Sequence, residues 1–440
     1  MTTKGLFDEF VRRGLVHDST DAAVLSARLD ERPIGVYVGF DPTADSLHVG
    51  HLMGQISLRR FQLAGHRPFP LAGGATGMVG DPSGRSDERN LLDRETLQHN
   101  VDRIKVQLSN LLDFGAGESG AVLVNNADWT AGITALDFLR DIGKHITVNQ
   151  MMAKESVRNR LNSENGLSYT EFSYMLLQAN DFRHLCETHD VELQMGGSDQ
   201  WGNITAGIDL IRRTLSRSAH GITWPLVTKS DGSKFGKTAD GAVWLDPART
   251  SPYQFRQFWV QMADDDVATY LPRFSLASLD ECAAVVESHR ADPGRRAAQK
   301  FLANEMTTLV HGAGAARDAE SAADILFGGD PTAASVEALL AVAAEVPSTK
   351  VTREDLQDTF GLLARAQVVA STSEARRAVS QGGIRVNGRA LAADETLAAH
   401  GFLHERWVLV SKGKTGYHLF DLASTPAPAP GLSTAGTPLP

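Results

Sequence analysis

The stretch that decides the fold runs from Ile34 to Pro68, "IGVYVGFDPTADSLHVGHLMGQISLRRFQLAGHRP". Its first seven residues put apolar side chains at Ile34, Val36, Val38 and Phe40, a period of two that predicts a strand. From about Val49 to Ala64 the pattern turns helical, with Leu52, Met53, Ile56 and Leu63 apolar. Gly65 supplies a C-terminal stop and Pro68 follows. Between strand and helix lies a polar loop carrying two histidines three apart, His48 and His51.

The same alternation continues outward. "RPFPLAGG" reads as a second strand, and a helix follows with Leu97, Val101, Ile104, Leu108 and Leu111 on one face. "AVLVNN" reads as a third strand and "VELQMGG", after more helix, as a fourth. Strands alternating with helices predict an α/β domain whose parallel, Rossmann-like sheet is covered on both faces. Ligands of such sheets bind at the carboxyl ends of the strands. The glycine-rich polar segments "GFDPT", "GGATGMVGDPSG" and "GGSDQWGN" collect there.

After about Leu245 strand signal gives way to helix. The expected organisation is a catalytic domain over 1–228, a loop region over 229–245 and a helical domain over 246–340. A linker and helix follow over 341–370, then a small α+β domain over 371–422 and a disordered Pro/Ala/Ser/Thr-rich tail over 423–440. In the small domain Ser373 is placed to cap a short helix ending at Gly382-Gly383. Asn387-Gly388 predicts a tight hairpin, and "RWVLVSKGKTGYHLF" a second one. Over 371–420 seven Lys/Arg stand against four Asp/Glu, +3 inside a chain of net charge −10. That overall charge excludes a histone-like coat of nucleic acid but not a local RNA-binding face.

The 440 residues, 42% of them apolar, suffice for two or three domains. No stretch approaches the roughly 20 apolar residues of a membrane helix, and the start has no leader-like character, so a membrane is not an expected partner. Cys186 and Cys282 lack metal-type spacing, which suggests a reducing, cytoplasmic setting.

Three constellations carry chemistry. On a helix, "TEFSYMLLQANDF" puts Tyr174, Gln178 and Asp181 in one polar stripe opposite an apolar face of Phe172, Met175, Leu176, Ala179 and Phe182. A phenol, an amide and a carboxylate offer directional hydrogen bonds to a small polar ligand, although spacing alone fits an ordinary solvent face equally well. "KSDGSKFGKTADG" holds Lys229, Lys234 and Lys237 among glycines. Alone it reads as a solvated loop; functionally it would bring ammonium groups to phosphate, without the Walker spacing. The histidine pair could hold a metal, but no "HExxH" glutamate follows and no third ligand is at hand. Its place at a helix start after a strand fits an anion better, with Gly50 leaving room for a nucleotide.

Together, "GFDPTADSLHVGH", "GGATGMVGDPSG", "YTEFSYMLLQANDF", "GGSDQWGNITAG" and "KFGKT" resemble the class I aminoacyl-tRNA synthetases, and among them the bacterial tyrosyl enzymes. "HVGH" is similar to that class's HIGH signature and "KFGKT" to its KMSKS loop; the resemblance runs from about Gly5 to Leu422. It implies activation of L-tyrosine by ATP, with pyrophosphate released, and transfer to the 3′-terminal ribose of tRNA(Tyr). It implies that Mg²⁺ arrives with ATP, that there is no structural metal, and that the enzyme is a cytoplasmic homodimer. Thr43, His48 and His51 would meet the phosphates and nucleotide, while Lys234, Lys237 and Thr238 close over the triphosphate. Tyr37 and Asp181 would hold the phenol; Tyr174, Gln178 and Asp81 would surround the ammonium, with Gln200 near. Gly39, Asp41, Gly197 and Asp199 would serve ATP, with Leu226 and Val227 by the adenine. Arg376, Arg377, Arg385 and Arg389 could share one face and meet tRNA; like Lys412 and Lys414, they would have no part in the small-molecule step. Val38 and Gly54 depart from relatives that carry polar side chains there. The alternatives are a tryptophanyl enzyme, a cofactor nucleotidyltransferase, and a non-enzymatic RNA-binding protein on a synthetase scaffold.

Overall fold

The structure is a computed structural model. It describes residues 4–83, 92–115, 117–161, 166–228, 235–238, 241–413 and 415–422. The chain forms two compact units, Met1–Ala313 and Gly314–Pro440.

The first unit is built on a six-stranded sheet: β1 Asp18–Ser19, β2 Gly35–Phe40, β3 Arg67–Ala72, β4 Val124–Asn125, β5 Val191–Gly197 and β6 His220–Trp224, in the order β1-β6-β5-β2-β3-β4. All neighbours are parallel except β1, which pairs antiparallel with β6. The period-two signal of β2 has a direct counterpart. Val36, Val38 and Phe40 join the core on one face with Leu52 and Ile56, and Tyr37 joins the core on the other with Phe69 and Phe182. The two-residue β1 and the strand β6 are not anticipated by the sequence reading, and the "AVLVNN" strand shrinks to Val124–Asn125.

β3 tolerates Pro68 and Pro70 because of its register. Arg67 and Gly73 donate to carbonyls of Ile34 and Phe40, so the odd residues face β2. The even residues, which include both prolines, face β4, and β4 pairs only with Leu71 and Ala72. The missing N–H groups therefore interrupt no ladder.

Residues 246–313 do not make a separate domain. Phe255, Trp259, Phe274, Leu302 and Met306 belong to the same core cluster as Val36 and Leu52. The two compact units meet at 313/314, beside Gly312, whose φ of 87° breaks the Ala297–Leu326 helix. The chain from 246 carries long apolar faces, and those faces have the sheet's helices to bury against.

The second unit holds a five-stranded sheet: β9 Ser348–Val351, β10 Ile384–Val386, β11 Arg389–Ala390, β12 Trp407–Lys412 and β13 Gly416–Leu422, ordered β11-β10-β12-β13-β9. A small hairpin, β7 Lys237–Thr238 and β8 Gly241–Ala242, belongs to the first unit. Both expected hairpins of the second unit form. Asn387 at φ 48° and Gly388 at φ 83° make the turn between β10 and β11. The helix cap is Ser371, whose Oγ accepts from the Glu374 N–H, two residues before Ser373. β9 lies inside the stretch assigned to a linker; it pairs parallel with β13, so the sheet reaches back to Ser348.

One contact ties the chain start to the helices of the first unit. The helix Asp264–Phe274 ends with carbonyls that need donors. Arg13, almost fully buried, donates to the carbonyls of Pro272, Ser275 and Ala277 at 2.7–3.2 Å and to Glu9 at 2.8 Å. Arg60 adds a second donor to Ser275. Replacing Arg13 with Ala removes three hydrogen bonds at once, and the Pro272 and Ser275 carbonyls keep only Arg60. We expect a loss of about 3 kcal/mol of stability in chemical denaturation, with little change at the distant cavity.

Candidate active site

A cavity of about 360 Å³ opens at the carboxyl ends of β2, β3, β5 and β6. It sits where chain order reverses, between β2 and β5, the place where such sheets bind ligands.

Its closed end is polar. Asp181, 1% exposed, accepts from Asn126 Nδ2 and Trp129 Nε1, each at 2.9 Å. Burial pushes its carboxyl up to about 7; the two hydrogen bonds pull the other way and Asp41 adds to the rise. Tyr37 is buried beside it, its hydroxyl accepting from Gln194 Nε2 at 2.8 Å. Burial first, then Asp181 and Asp41, hold this phenol well above its ordinary range. Asp41 accepts from Thr76 Oγ1 at 2.8 Å and from the Tyr174 hydroxyl at 2.9 Å. Asn126 also donates to Thr76, at 3.0 Å, closing a network from Asp181 to Tyr174.

The stripe on the helix Tyr169–His189 therefore faces the cavity and not solvent: Tyr174, Gln178 and Asp181 all line it. Gln178 accepts from Asn203 Nδ2 at 2.9 Å. Asp81 and Gln200 also line the cavity, joined at 2.7 Å. Asp199 stands next to them, its carboxyl raised by burial and then by Asp81, with Gln200 and Lys154 opposing.

The histidines form the opposite wall. His48 Nδ1 accepts the Gly50 N–H, and His51 Nδ1 accepts the His48 N–H, each at 3.1 Å, a reciprocal capping box on the turn Val49–His51. Both δ-nitrogens are spent as acceptors, so each ring carries its proton at Nε2 as a donor. Gly50 is needed for a reason other than nucleotide access: a Cβ there would lie 2.8 Å from His48 Cε1. The loop is pinned by backbone pairing, Val49 N to the Val243 carbonyl and Leu245 N to the Leu47 carbonyl.

This pairing brings "HVGH" and "KFGKT" together. Phe235 is buried among Phe258, Trp259, Tyr270 and Phe274, with ring centroids 5.3–5.7 Å apart. Gly236, at φ 78°, lies against Val49, where a Cβ would clash at 2.6 Å. Lys234 lies outside the described residues. Of Lys237 and Thr238 only the backbone is described, as β7.

Gly39, Asp41, Thr43 and Gly197 line the cavity, and Val38 and Gly54 do so side by side. A Cβ at Gly54 would lie 3.1 Å from Val38 Cγ1, so the valine occupies the space that a side chain at 54 would use. Leu226 and Val227 are not among the lining residues. Leu226 is 52% exposed near Gly197, and Val227 packs toward the main core. Asn126, Trp129, Thr76, Gln194 and Asn203 escape the sequence reading. They come from separate segments and show no shared spacing.

In the second unit Arg376, Arg377, Arg385 and Arg389 are all exposed. They do not share one face. Arg385 is paired with Ala390 and Arg389 with Val386, which puts the two arginines on opposite sides of the hairpin. Lys412 is occupied by Glu374 at 2.7 Å, and Lys414 lies outside the described residues.

Two family models match the chain: tRNA synthetases class I (W and Y) over residues 29–328, and the tyrosine–tRNA ligase SYY-like C-terminal domain over 339–420. The chain is 49% identical over 427 residues to the tyrosine–tRNA ligase of Roseiflexus castenholzii, covering 96% of this chain and 100% of that one. It is 51% identical over 417 residues to that of Opitutus terrae, covering 94% and 98%. Among solved structures it is similar to a C-terminally truncated mitochondrial tyrosyl-tRNA synthetase of Aspergillus nidulans. That match has 32% identity and a TM-score of 0.67, over 73% of this chain and 94% of that one.

Asp181 makes a pH signature. Its folded pKa, about 7, lies above the ordinary carboxylate value, so the native state holds a proton that the unfolded chain has released. Its contribution is fully present below about pH 4 and is lost as pH rises through 7. Relative to Asp181→Asn, wild-type stability should fall between pH 5 and 7 by roughly 1.4 kcal/mol per pH unit at most, then level off. Denaturation of both proteins across that range checks this; a constant difference would mean an ordinary pKa.

Proposed function

The chain belongs to the class I tRNA synthetases, in their tyrosine–tRNA ligase branch, and from that membership we propose how its cavity performs the reaction. The activity is that of an aminoacyl-tRNA ligase: tyrosine and ATP give tyrosyl-adenylate and pyrophosphate, and the tyrosyl group then passes to tRNA. The tyrosine carboxylate is itself the nucleophile, so the first step requires no base. Positioning and charge stabilisation at the α-phosphate remain for the protein.

One observation carries the assignment of the amino-acid end. A buried carboxylate, Asp181, already held by Asn126 and Trp129, lies beside the Tyr37 hydroxyl. A substrate phenol donating to Asp181 and accepting from Tyr37 would complete both. Phenylalanine would leave them unpaired. Buried polar groups without a partner are costly, and tyrosine against phenylalanine in tyrosyl-tRNA synthetases is the standard illustration of that rule. Tyr174, Gln178 and Asp81 then receive the ammonium, with Gln200 beside them.

His48 and His51 present Nε2 donors to the nucleotide, with Thr43 at the phosphates and Gly39, Asp41, Gly197 and Asp199 around the ribose. Lys234 and Lys237 supply charge at the triphosphate, with the Thr238 hydroxyl beside them. The anchored Phe235 fixes one flank of that segment. Leu226 stands at the cavity margin, where an adenine would cover it; Val227 backs it. Mg²⁺ we place on the phosphate oxygens, where it would neutralise charge, with the oxygen donors of Asp41 and Asp199 nearby in the cavity.

The second unit we assign to tRNA. Arg376 and Arg377 lie exposed on the helix Thr372–Ser380. Arg385 joins Phe327 and Tyr417 around a separate hollow, which offers a cation and aromatic faces to unstacked bases. Arg389 would add a phosphate contact on the other side of its hairpin. We further propose a homodimer. Leu136, Leu139, Val148, Met152, Leu161 and Tyr169 are exposed apolar side chains within one stretch of the first unit, Leu136 at 78% and Tyr169 at 72%. The unpaired, buried Cys186 and Cys282 suit the cytoplasm.

ATP–pyrophosphate exchange across the twenty amino acids tests the activity. In that assay Tyr37→Phe should weaken tyrosine use by about 0.5–1.5 kcal/mol and leave phenylalanine use nearly unchanged; equal losses would move the phenol elsewhere.

A chain ending at Ala313 should keep exchange, sediment as a dimer and lose most tRNA charging. Residual tRNA binding should also show a shallower salt dependence, by roughly 0.7–0.9 in log–log slope for each phosphate contact removed. Undiminished charging by a folded shortened chain would refute the tRNA role of the second unit, and a monomer would refute the interface.

A further inference from the structure

Lys154 does not line the cavity, yet it backs the cavity's acidic rim. Its stem crosses Gly202, where a Cβ would lie 3.1 Å from Lys154 Cγ. Its Nζ donates to Ser83 Oγ at 3.0 Å and to Asn203 Oδ1 at 2.7 Å. Gly202 and Asn203 belong to the first turn of the helix Trp201–Leu215, the positive end of its dipole, which disfavours a cation. Burial disfavours the charge as well, while the Asp81 and Asp199 carboxylates favour it. Two hydrogen bonds made by a side chain held in such a place point to what it does for its neighbours.

An ammonium has three donors and no acceptor. Asn203 must therefore turn its carbonyl toward Lys154 and its NH₂ group away. That group donates to Gln178 Oε1 at 2.9 Å and to Gln200 Oε1 at 3.0 Å. Gln200 in turn points its own NH₂ group at Asp81 Oδ2, 2.7 Å away. On the other arm, Ser83 takes the lysine's hydrogen bond at its hydroxyl and donates its backbone N–H to Asp81 Oδ1 at 2.9 Å. Both arms converge on Asp81, which receives neutral donors from them. Lys154 stops one residue short of an ion pair.

We propose that Lys154 is a positioning residue for the substrate's α-ammonium group: it sets the direction of the Asn203, Gln178 and Gln200 amides and leaves the Asp81 carboxylate, among the described residues, with neutral donors and no cationic partner. Asp81 and the second lone pair of Gln178 Oε1 then face an arriving ammonium as acceptors. This rests on the reading of the cavity as an amino-acid site.

The test compares L-tyrosine with 3-(4-hydroxyphenyl)propanoate, which keeps the phenol and carboxylate and lacks the ammonium. Binding of each to the full-length protein is measured by calorimetry, with tyrosine-dependent exchange run in parallel. Lys154→Met should raise the Kd and KM for tyrosine about tenfold, leave kcat within about twofold, and leave propanoate binding within about twofold. Lys154→Arg keeps a donor-only cation and should recover tyrosine affinity to within about threefold of wild type. Equal weakening of both ligands would make Lys154 a packing strut and overturn the proposal, as would unchanged tyrosine affinity. Should Lys154→Met fail to fold by thermal melting, Lys154→Gln carries the same comparison. Its amide can accept as well as donate, so it no longer dictates the direction of Asn203. A wild-type protein without tyrosine-dependent exchange would instead refute the reading of the cavity itself.

Discussion

The carboxylate of Asp41 holds the active end of the sheet together. It accepts from Thr76, just past β3, and from Tyr174 on the Tyr169–His189 helix, while its own backbone continues β2. Three elements far apart in sequence meet on two oxygens. Thr76 passes the connection to Asn126, and Asn126 to Asp181. The depth of the cavity, the burial of Asp181 and its raised pKa all depend on that closure. A hydrogen-bonded carboxylate in a low-dielectric site is a strong tie, and it is costly to break.

The two signature segments work as one structure. Each histidine's δ-nitrogen caps a backbone N–H, and the tautomer that results points a donor outward from each ring. A structural duty thus decides the chemical one. The same loop is stitched to residues 243–245, and Gly236 rests on Val49. The segment bearing Lys237 is consequently tethered at one flank by Phe235 and at the other by this pairing.

Elements with strong local patterns are legible in the sequence: β2, the helix after it, the Arg94–Leu111 helix and the Asn387-Gly388 turn. The stripe Tyr174, Gln178, Asp181 is legible as well, because helical spacing puts it on one face; which face meets a cavity is not. What escapes depends on tertiary contact. β6 and the two-residue β1 are short and owe their existence to pairing with each other and with β5. β9 is half-exposed and has a single apolar residue, Val351, and its partner β13 makes it a strand. Asn126, Trp129 and Lys154 act through neighbours 49–71 positions away, and no window of sequence contains such a pair.

The prolines of β3 have a consequence at the rim of the sheet. Beyond the two residues that β4 covers, the side of β3 that faces β4 offers carbonyls but lacks N–H donors at 68 and 70, both buried. Val122 uses one of those carbonyls, at Pro68. A strand from another molecule arriving here would find alternate donors missing and could not zip up a ladder. The edge is thereby barred to intermolecular β-addition by covalent structure, without a guarding charge. Growth of a ladder along this stretch of β3 is closed off by the prolines themselves.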